Sequence, residues 1–97
     1  MRGGEYMKYF AVFLPMKDEE KSQQYRSDHL DYLKEMRDKG RIFQFGRLVD
    51  GAGGLIIYQG NNLEEVTAWA KADPYVKLGA RGCEIHEWDM QTDYTIT

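Results

Sequence analysis

The sequence has one cysteine among its 97 residues, so no disulfide can form within the chain. Basic residues are not in excess either, because 13 Lys and Arg stand against 16 Asp and Glu for a formal net charge of -3. Proteins that bind nucleic acid gain much of their affinity from clustered Lys and Arg, so we expect no nucleic-acid partner. Cys83 is expected to be a small buried side chain in a reducing compartment.

Long apolar runs are also missing. No stretch approaches the roughly 20 apolar residues that span a bilayer, and the initial MRGGEY has no apolar signal-peptide core. We therefore expect a cytoplasmic protein without a membrane partner. Because the length is that of one domain, residues 1–97 are predicted to form a single unit, with 1–6 as a flexible N-terminus and 91–97 as a polar C-terminal tail.

Apolar runs alternate with capping and turn residues along the chain and predict six elements. These are a strand at Tyr9–Leu14, a helix at 18–39, strands at Ile42–Leu48 and Leu55–Gln59, a helix at 62–72 and a strand at Cys83–Trp88. Asp18 is a typical N-cap, Gly40 a typical helix terminator, and Pro74 ends the second helix. The order β-α-β-β-α-β predicts an α+β ferredoxin-like fold, an antiparallel sheet with both helices on one face.

The sheet face that the helices leave uncovered is predicted to be apolar. Alternation places Tyr9, Ala11 and Phe13 on one side of the first strand and equally apolar residues on the other. Leu55 and Ile57 continue this pattern on the third strand. Helices can cover only one face, so we predict a homodimer that packs through the other. The alternatives are a large ligand cleft or a small exposed patch.

His29 lies on an apolar stripe of the first predicted helix, which consists of Tyr25, His29, Tyr32, Leu33 and Met36. Its side chain should therefore face inward, with Arg26 one turn earlier at the same edge. On this pattern alone, a core histidine that donates to a backbone carbonyl is the commoner arrangement. A functional histidine beside an arginine is the alternative.

Asp73 continues the apolar stripe of the second predicted helix and should also face the interior. By itself, Asp73-Pro74 is typical of a helix-terminating turn. A carboxylate that accepts a hydrogen bond from one nitrogen of His29 would instead fix the tautomer of the ring. The other nitrogen would then be free as a general base or acid.

Three segments carry motifs of one family. Residues 26–33 have the pattern R-x-x-H-L-x-x-L, residues 40–46 combine G-R-I-F with a following glycine, and residues 70–75 read A-x-x-D-P-Y. From about Met7 to Asp89 the chain resembles the YciI-like proteins of the dimeric α/β-barrel superfamily. It departs from them at Gly46-Arg47, where the family often has Gly-Pro, and we expect this exchange to alter the charge at the mouth of the substrate pocket and so the substrate.

The resemblance implies a dimeric α/β barrel in which His29 and Asp73 form a catalytic dyad. By the same resemblance, Arg26, Gly46 and Tyr75 are predicted to contact the substrate. One branch of the family resembles a dehydrochlorinase of chlorinated hydroxyquinols, and relatives in the superfamily include muconolactone isomerases and cofactor-free monooxygenases. Kinship of fold does not choose between these reactions.

We therefore predict a cofactor-independent lyase or isomerase in which His29 moves a proton on a small anionic or phenolic substrate held by Arg26. A non-catalytic module that binds a small molecule or a protein in the same cleft is the alternative, and a cofactor-free oxygenase is a third possibility. No cofactor or metal is expected. Cys83 and His86 have a metal-like spacing, but their odd offset along a strand places them on opposite faces.

Overall fold

The computed structural model describes residues 7–91 of the chain. Within that range the elements are β1 (Lys8–Pro15), α1 (Glu19–Gln24), α2 (Arg26–Asp38), β2 (Ile42–Arg47), β3 (Gly53–Gly60), α3 (Leu63–Ala72), α4 (Pro74–Lys77) and β4 (Glu84–Trp88). None of the helices in this range is long and apolar enough to cross a membrane. The predicted flexible segment 1–6, and the predicted tail apart from Gln91, lie outside the described residues.

The four strands form one antiparallel sheet in the order β2-β3-β1-β4. β1 lies in the interior of the sheet, where Ala11 pairs with Ile57 of β3 on one side and with His86 of β4 on the other. A shift of register between Ile42 and Gln44 marks a bulge in β2. This topology confirms the predicted α+β ferredoxin-like fold.

The hydrophobic core lies between the helices and one face of the sheet. It consists of Phe10, Val12, Leu14, Leu33, Met36, Ile42, Ile56, Tyr58, Val66 and Ala70. On the opposite face, Leu55 and Trp88 remain 38% and 44% exposed. Alternation along β1 therefore separates a buried face from a second apolar face, as the sequence predicts. Coverage of that second face by another copy stays a prediction.

The first predicted helix is correct in extent but is kinked at Tyr25, whose φ of -103° and ψ of 12° leave the helical range. At the kink, the Ser22 carbonyl accepts a hydrogen bond of 2.9 Å from the Tyr75 hydroxyl. In a continuous helix that carbonyl would accept from the Arg26 N–H four residues later. Insertion of a side chain into this ladder is a known cause of kinks, and we assign this kink to Tyr75.

The short helix α4 lies between the second predicted helix and the last predicted strand, where the sequence predicts neither a helix nor a strand. Asp73 is its N-cap, because the carboxylate accepts from the Tyr75 N–H at 2.9 Å. Pro74 occupies the first helical turn, where its missing N–H costs nothing. The Asp-Pro pair thus ends α3 and starts a new helix at the same point. Both residues are typical of a helix start, Asp73 as the N-cap and Pro74 in the first turn.

Candidate active site

His29 and Asp73 are in direct contact. The distances from His29 Nδ1 to Asp73 Oδ1 and Oδ2 are 2.8 and 3.0 Å. His29 is 9% exposed and Asp73 is 0% exposed. A carboxylate can only accept, so Nδ1 carries the proton and donates it to Asp73. The contact predicted between these two residues is confirmed.

Asp73 is held by the backbone on either side of it. It ends α3 in an extended conformation, with φ of -60° and ψ of 128°, and its side chain turns back to cap α4. Oδ1 therefore accepts from both the Tyr75 N–H and the His29 ring. These N–H donors are what make a fully buried carboxylate tolerable, since burial without partners would be costly.

The aromatic ring of Tyr75 packs face to face against the imidazole ring of His29. Their centroids are 3.9 Å apart and their planes differ by 9°, so the rings are stacked. The Tyr75 hydroxyl is anchored on the Ser22 carbonyl, and burial raises the pKa of this phenol above its ordinary value. At neutral pH Tyr75 is thus an uncharged, fixed platform. Asp73 and Tyr75 together define the position and the plane of the imidazole.

A cleft of about 180 Å³ opens in front of His29. Arg26, Gly46 and Tyr75, the residues predicted to contact substrate, all line this cleft, and Asp73 lies behind His29. With Nδ1 bonded to Asp73, the nitrogen left for the cleft is Nε2, which has no hydrogen-bond partner among residues 7–91. The arrangement can accept or deliver a proton at Nε2.

Two further arginines line the cleft and were not predicted as site residues, Arg47 and Arg81. Arg47 was identified only as a departure from the family motif. Arg81 lies in the connection that follows α4, where no periodic pattern indicates direction. Its guanidinium stacks at 4.5 Å on the Tyr75 ring, and this contact could be seen only once the fold was known.

Cys83 and His86 lie on opposite faces of the sheet, as expected from their spacing. Cys83 packs against the hydrophobic core, and burial raises the pKa of its thiol. His86 pairs with Ala11 on the helix-free side. In residues 7–91, no group of three or more His, Cys, Asp or Glu side chains is arranged to hold a metal ion.

Comparison with known proteins adds the family. A model of the YCII-related domain matches residues 7–89. The chain belongs to the YCII-related domain family. This YCII-related chain is 29% identical over 83 residues to the uncharacterised protein YjpA of Bacillus subtilis (strain 168), a match that covers 86% of the chain and 98% of YjpA.

The YCII-related chain also resembles a solved structure, that of 5-chloro-2-hydroxyhydroquinone dehydrochlorinase (TftG) from Burkholderia phenoliruptrix AC1100 in complex with 2,5-dihydroxybenzoquinone. The TM-score is 0.73, and the match covers 86% of this chain and 95% of TftG at 19% sequence identity. At that identity the likeness shows a shared fold.

Proposed function

We propose that this protein is a cofactor-independent lyase or isomerase in which His29 is the general base and acid and Asp73 orients it. One observation carries the proposal: a buried carboxylate bonds Nδ1 of a histidine whose ring lines a cleft. In such a pair the carboxylate selects the tautomer and stabilises the imidazolium that forms when Nε2 takes a proton. The dehydrochlorinase activity of TftG, which has the same fold, supports the lyase class.

The substrate we propose is a small anionic or phenolic molecule. Nε2 of His29 takes a proton from an acidic O–H or C–H bond, and Arg26 stabilises the negative charge that develops. In an isomerase the same proton returns to another carbon. In a lyase the electron pair expels a leaving group, so that the substrate loses one proton and one anion in all.

The proposal predicts that His29→Ala lowers turnover by roughly 10²–10⁴-fold, the usual contribution of a positioned acid or base. Asp73→Asn should also lower turnover strongly, because an amide holds the ring without stabilising the imidazolium. The first compound to assay is 5-chloro-2-hydroxyhydroquinone, with chloride release as the readout. Exchange of substrate C–H protons in D₂O, followed by NMR, tests isomerase substrates.

The other histidine provides a matched control. His86→Ala removes the same side chain from the opposite face of the sheet, away from the cleft, and should leave turnover unchanged in a variant that sediments like the wild type. Circular dichroism must show that all three variants are folded. Wild-type turnover in folded His29→Ala would contradict the proposal and would favour a non-catalytic binding module with the same cleft.

We also propose that the protein works as a homodimer that packs through the helix-free face of the sheet. Leu55 and Trp88 are large apolar side chains on strands that carry no helix on that side. Their exposure supports a partner, since monomers rarely expose large contiguous apolar patches.

A further inference from the structure

Three guanidinium groups surround the cleft in front of His29. Arg26 begins α2, Arg47 ends β2, and Arg81 lies in the connection before β4. No Asp or Glu is among the residues that line the cleft, and the ion pairs formed within residues 7–91 involve none of the three arginines. A concave surface with uncompensated positive charge attracts and concentrates anions.

The guanidinium of Arg81 is held in place before any ligand binds. Its Nε donates at 3.0 Å to the hydroxyl of Ser22, which is 4% exposed. This hydrogen bond to a buried hydroxyl is one contact that fixes the guanidinium. The stack on the Tyr75 ring is the other. Both contacts leave the two terminal nitrogens free to form the fork that arginine offers to a carboxylate.

Arg47 and Arg81 converge on the same point of the sheet. Arg47 pairs with Gly54 across the β2–β3 ladder. Nη1 of Arg81 lies 3.6 Å from the position that a Cβ on Gly54 would occupy. Arg26 approaches the cleft from α2, one helical turn before His29. The arginines therefore reach the cleft from two sides, Arg26 from α2 beside His29 and Arg47 with Arg81 from the sheet near Gly54.

We propose that the site selects a substrate with two anionic groups, each a carboxylate or a phenolate. Arg26 binds one group beside His29, and Arg47 and Arg81 bind the other near Gly54. The inference rests on the proposed function for the role of His29, but the second anion centre depends only on the arginines. Two guanidiniums at one centre favour a bidentate, fully charged ligand group over a neutral one.

Binding of paired probes tests this inference without turnover. Succinate and butyrate have carbon chains of the same length, but succinate carries one carboxylate more. Terephthalate and benzoate share the same aromatic ring and differ in the same way. Isothermal titration calorimetry at constant ionic strength should show each dianion binding roughly tenfold or more tighter than its monoanion. If neither dianion binds more tightly than its monoanion, the inference is wrong.

Variants locate the second centre. Arg81→Gln and Arg47→Gln should each weaken succinate or terephthalate binding by roughly tenfold and change monoanion binding little. Arg26→Gln should weaken both members of each pair. Lys34→Gln removes the same unit charge from an exposed ion pair outside the cleft and should leave all four affinities nearly unchanged. If Lys34→Gln and Arg81→Gln weaken dianion binding equally, the preference comes from the overall charge of the protein and the inference is wrong.

The two proposals can fail separately. His29→Ala should keep the preference for dianions, because the arginines remain. Preference for dianions without any turnover would leave the second centre in place and remove the enzymatic function. Turnover of monoanionic substrates that Arg81→Gln does not change would leave the enzymatic function in place and remove the second anion centre.

Discussion

Tyr58 in the core and Tyr32, which packs against it, show how the surroundings of a single hydroxyl decide its contribution to stability. The Tyr32 hydroxyl donates to the Trp69 carbonyl at 2.6 Å. The Tyr58 hydroxyl is buried and has no hydrogen-bond partner among residues 7–91. Burial is the main cause that raises the pKa of both phenols, and the negative charge of Asp73 raises both further. The two hydroxyls should therefore respond differently to removal.

Tyr32→Phe should lower the free energy of unfolding by about 0.5–1.5 kcal/mol, since it deletes a satisfied hydrogen bond. Tyr58→Phe should be neutral or stabilising, because it removes a polar atom that burial leaves unsatisfied. Urea denaturation of the two variants and the wild type measures both changes. A larger loss for Tyr58→Phe than for Tyr32→Phe would show that the Tyr58 hydroxyl has a bound water or another partner.

Tyr32 also predicts a loss of stability in alkali. Burial raises its pKa from 10.0 to about 12, so between these values the folded chain retains a proton that the unfolded chain has released. The unfolded state binds fewer protons there, and the free energy of unfolding falls as the pH rises from 10 towards 12. Below pH 10 this contribution is fully present. Urea denaturation across this range should give a shallower decline for Tyr32→Phe, and an unchanged slope would contradict the assignment.

At the scale of elements, helix α3 ends at Asp73, so the stability of α3 supports the position of Asp73 next to His29. The Asn62 side chain accepts from the Glu65 N–H at 2.8 Å and caps this helix. Asn62→Ala should lower the free energy of unfolding by about 1 kcal/mol, as loss of an N-cap usually does. Asn61→Ala is the control, since this neighbour contributes its backbone N–H to Glu65. Equal effects of the two variants in thermal or urea unfolding would exclude capping as the cause.

Local signals were sufficient for most of the elements. Asn62 and Pro74 mark the limits of α3, and Gly40, with φ of 76°, follows α2 as its sequence predicts. The kink at Tyr25 could not be predicted, because it depends on a hydroxyl 53 residues away from Ser22. Arg81 escaped prediction for a related reason: its side chain is positioned by Ser22, which is distant in sequence, and by a stack on Tyr75 that exists only in the folded chain.

For the site, too, some features follow from the local sequence and others depend on residues far apart in the chain. Inward stripes on two helices indicate that His29 and Asp73 are buried, and the family motif pairs them. Their separation of 44 residues means that only the packed helices bring Nδ1 within 2.8 Å of the carboxylate. The charge of the cleft depends in addition on Arg47 and Arg81, which no helical pattern connects to His29.

At the scale of the whole molecule, the homodimer is the prediction most open to test. Leu55→Glu places a charge on the helix-free face and should convert a dimer to a folded monomer in sedimentation analysis. Leu63→Glu is the matched control, because Leu63 is 50% exposed at the start of α3, on the other side of the sheet. The control should sediment like the wild type. A wild-type chain that is monomeric at micromolar concentration would contradict the prediction and leave this face as an open groove.

The position of β1 inside the sheet has a consequence for synthesis of the chain. The ribosome makes β1 before the other three strands of the sheet, but its two neighbours are β3 and β4, and Tyr9 pairs with Gln59 and with Trp88. Until Glu84–Trp88 has emerged, one edge of an apolar strand has no partner, and such edges recruit other chains. His29 and Asp73 are both made before that strand. A nascent chain stalled at residue 80 would therefore contain both residues of the dyad while one edge of β1 still has no partner.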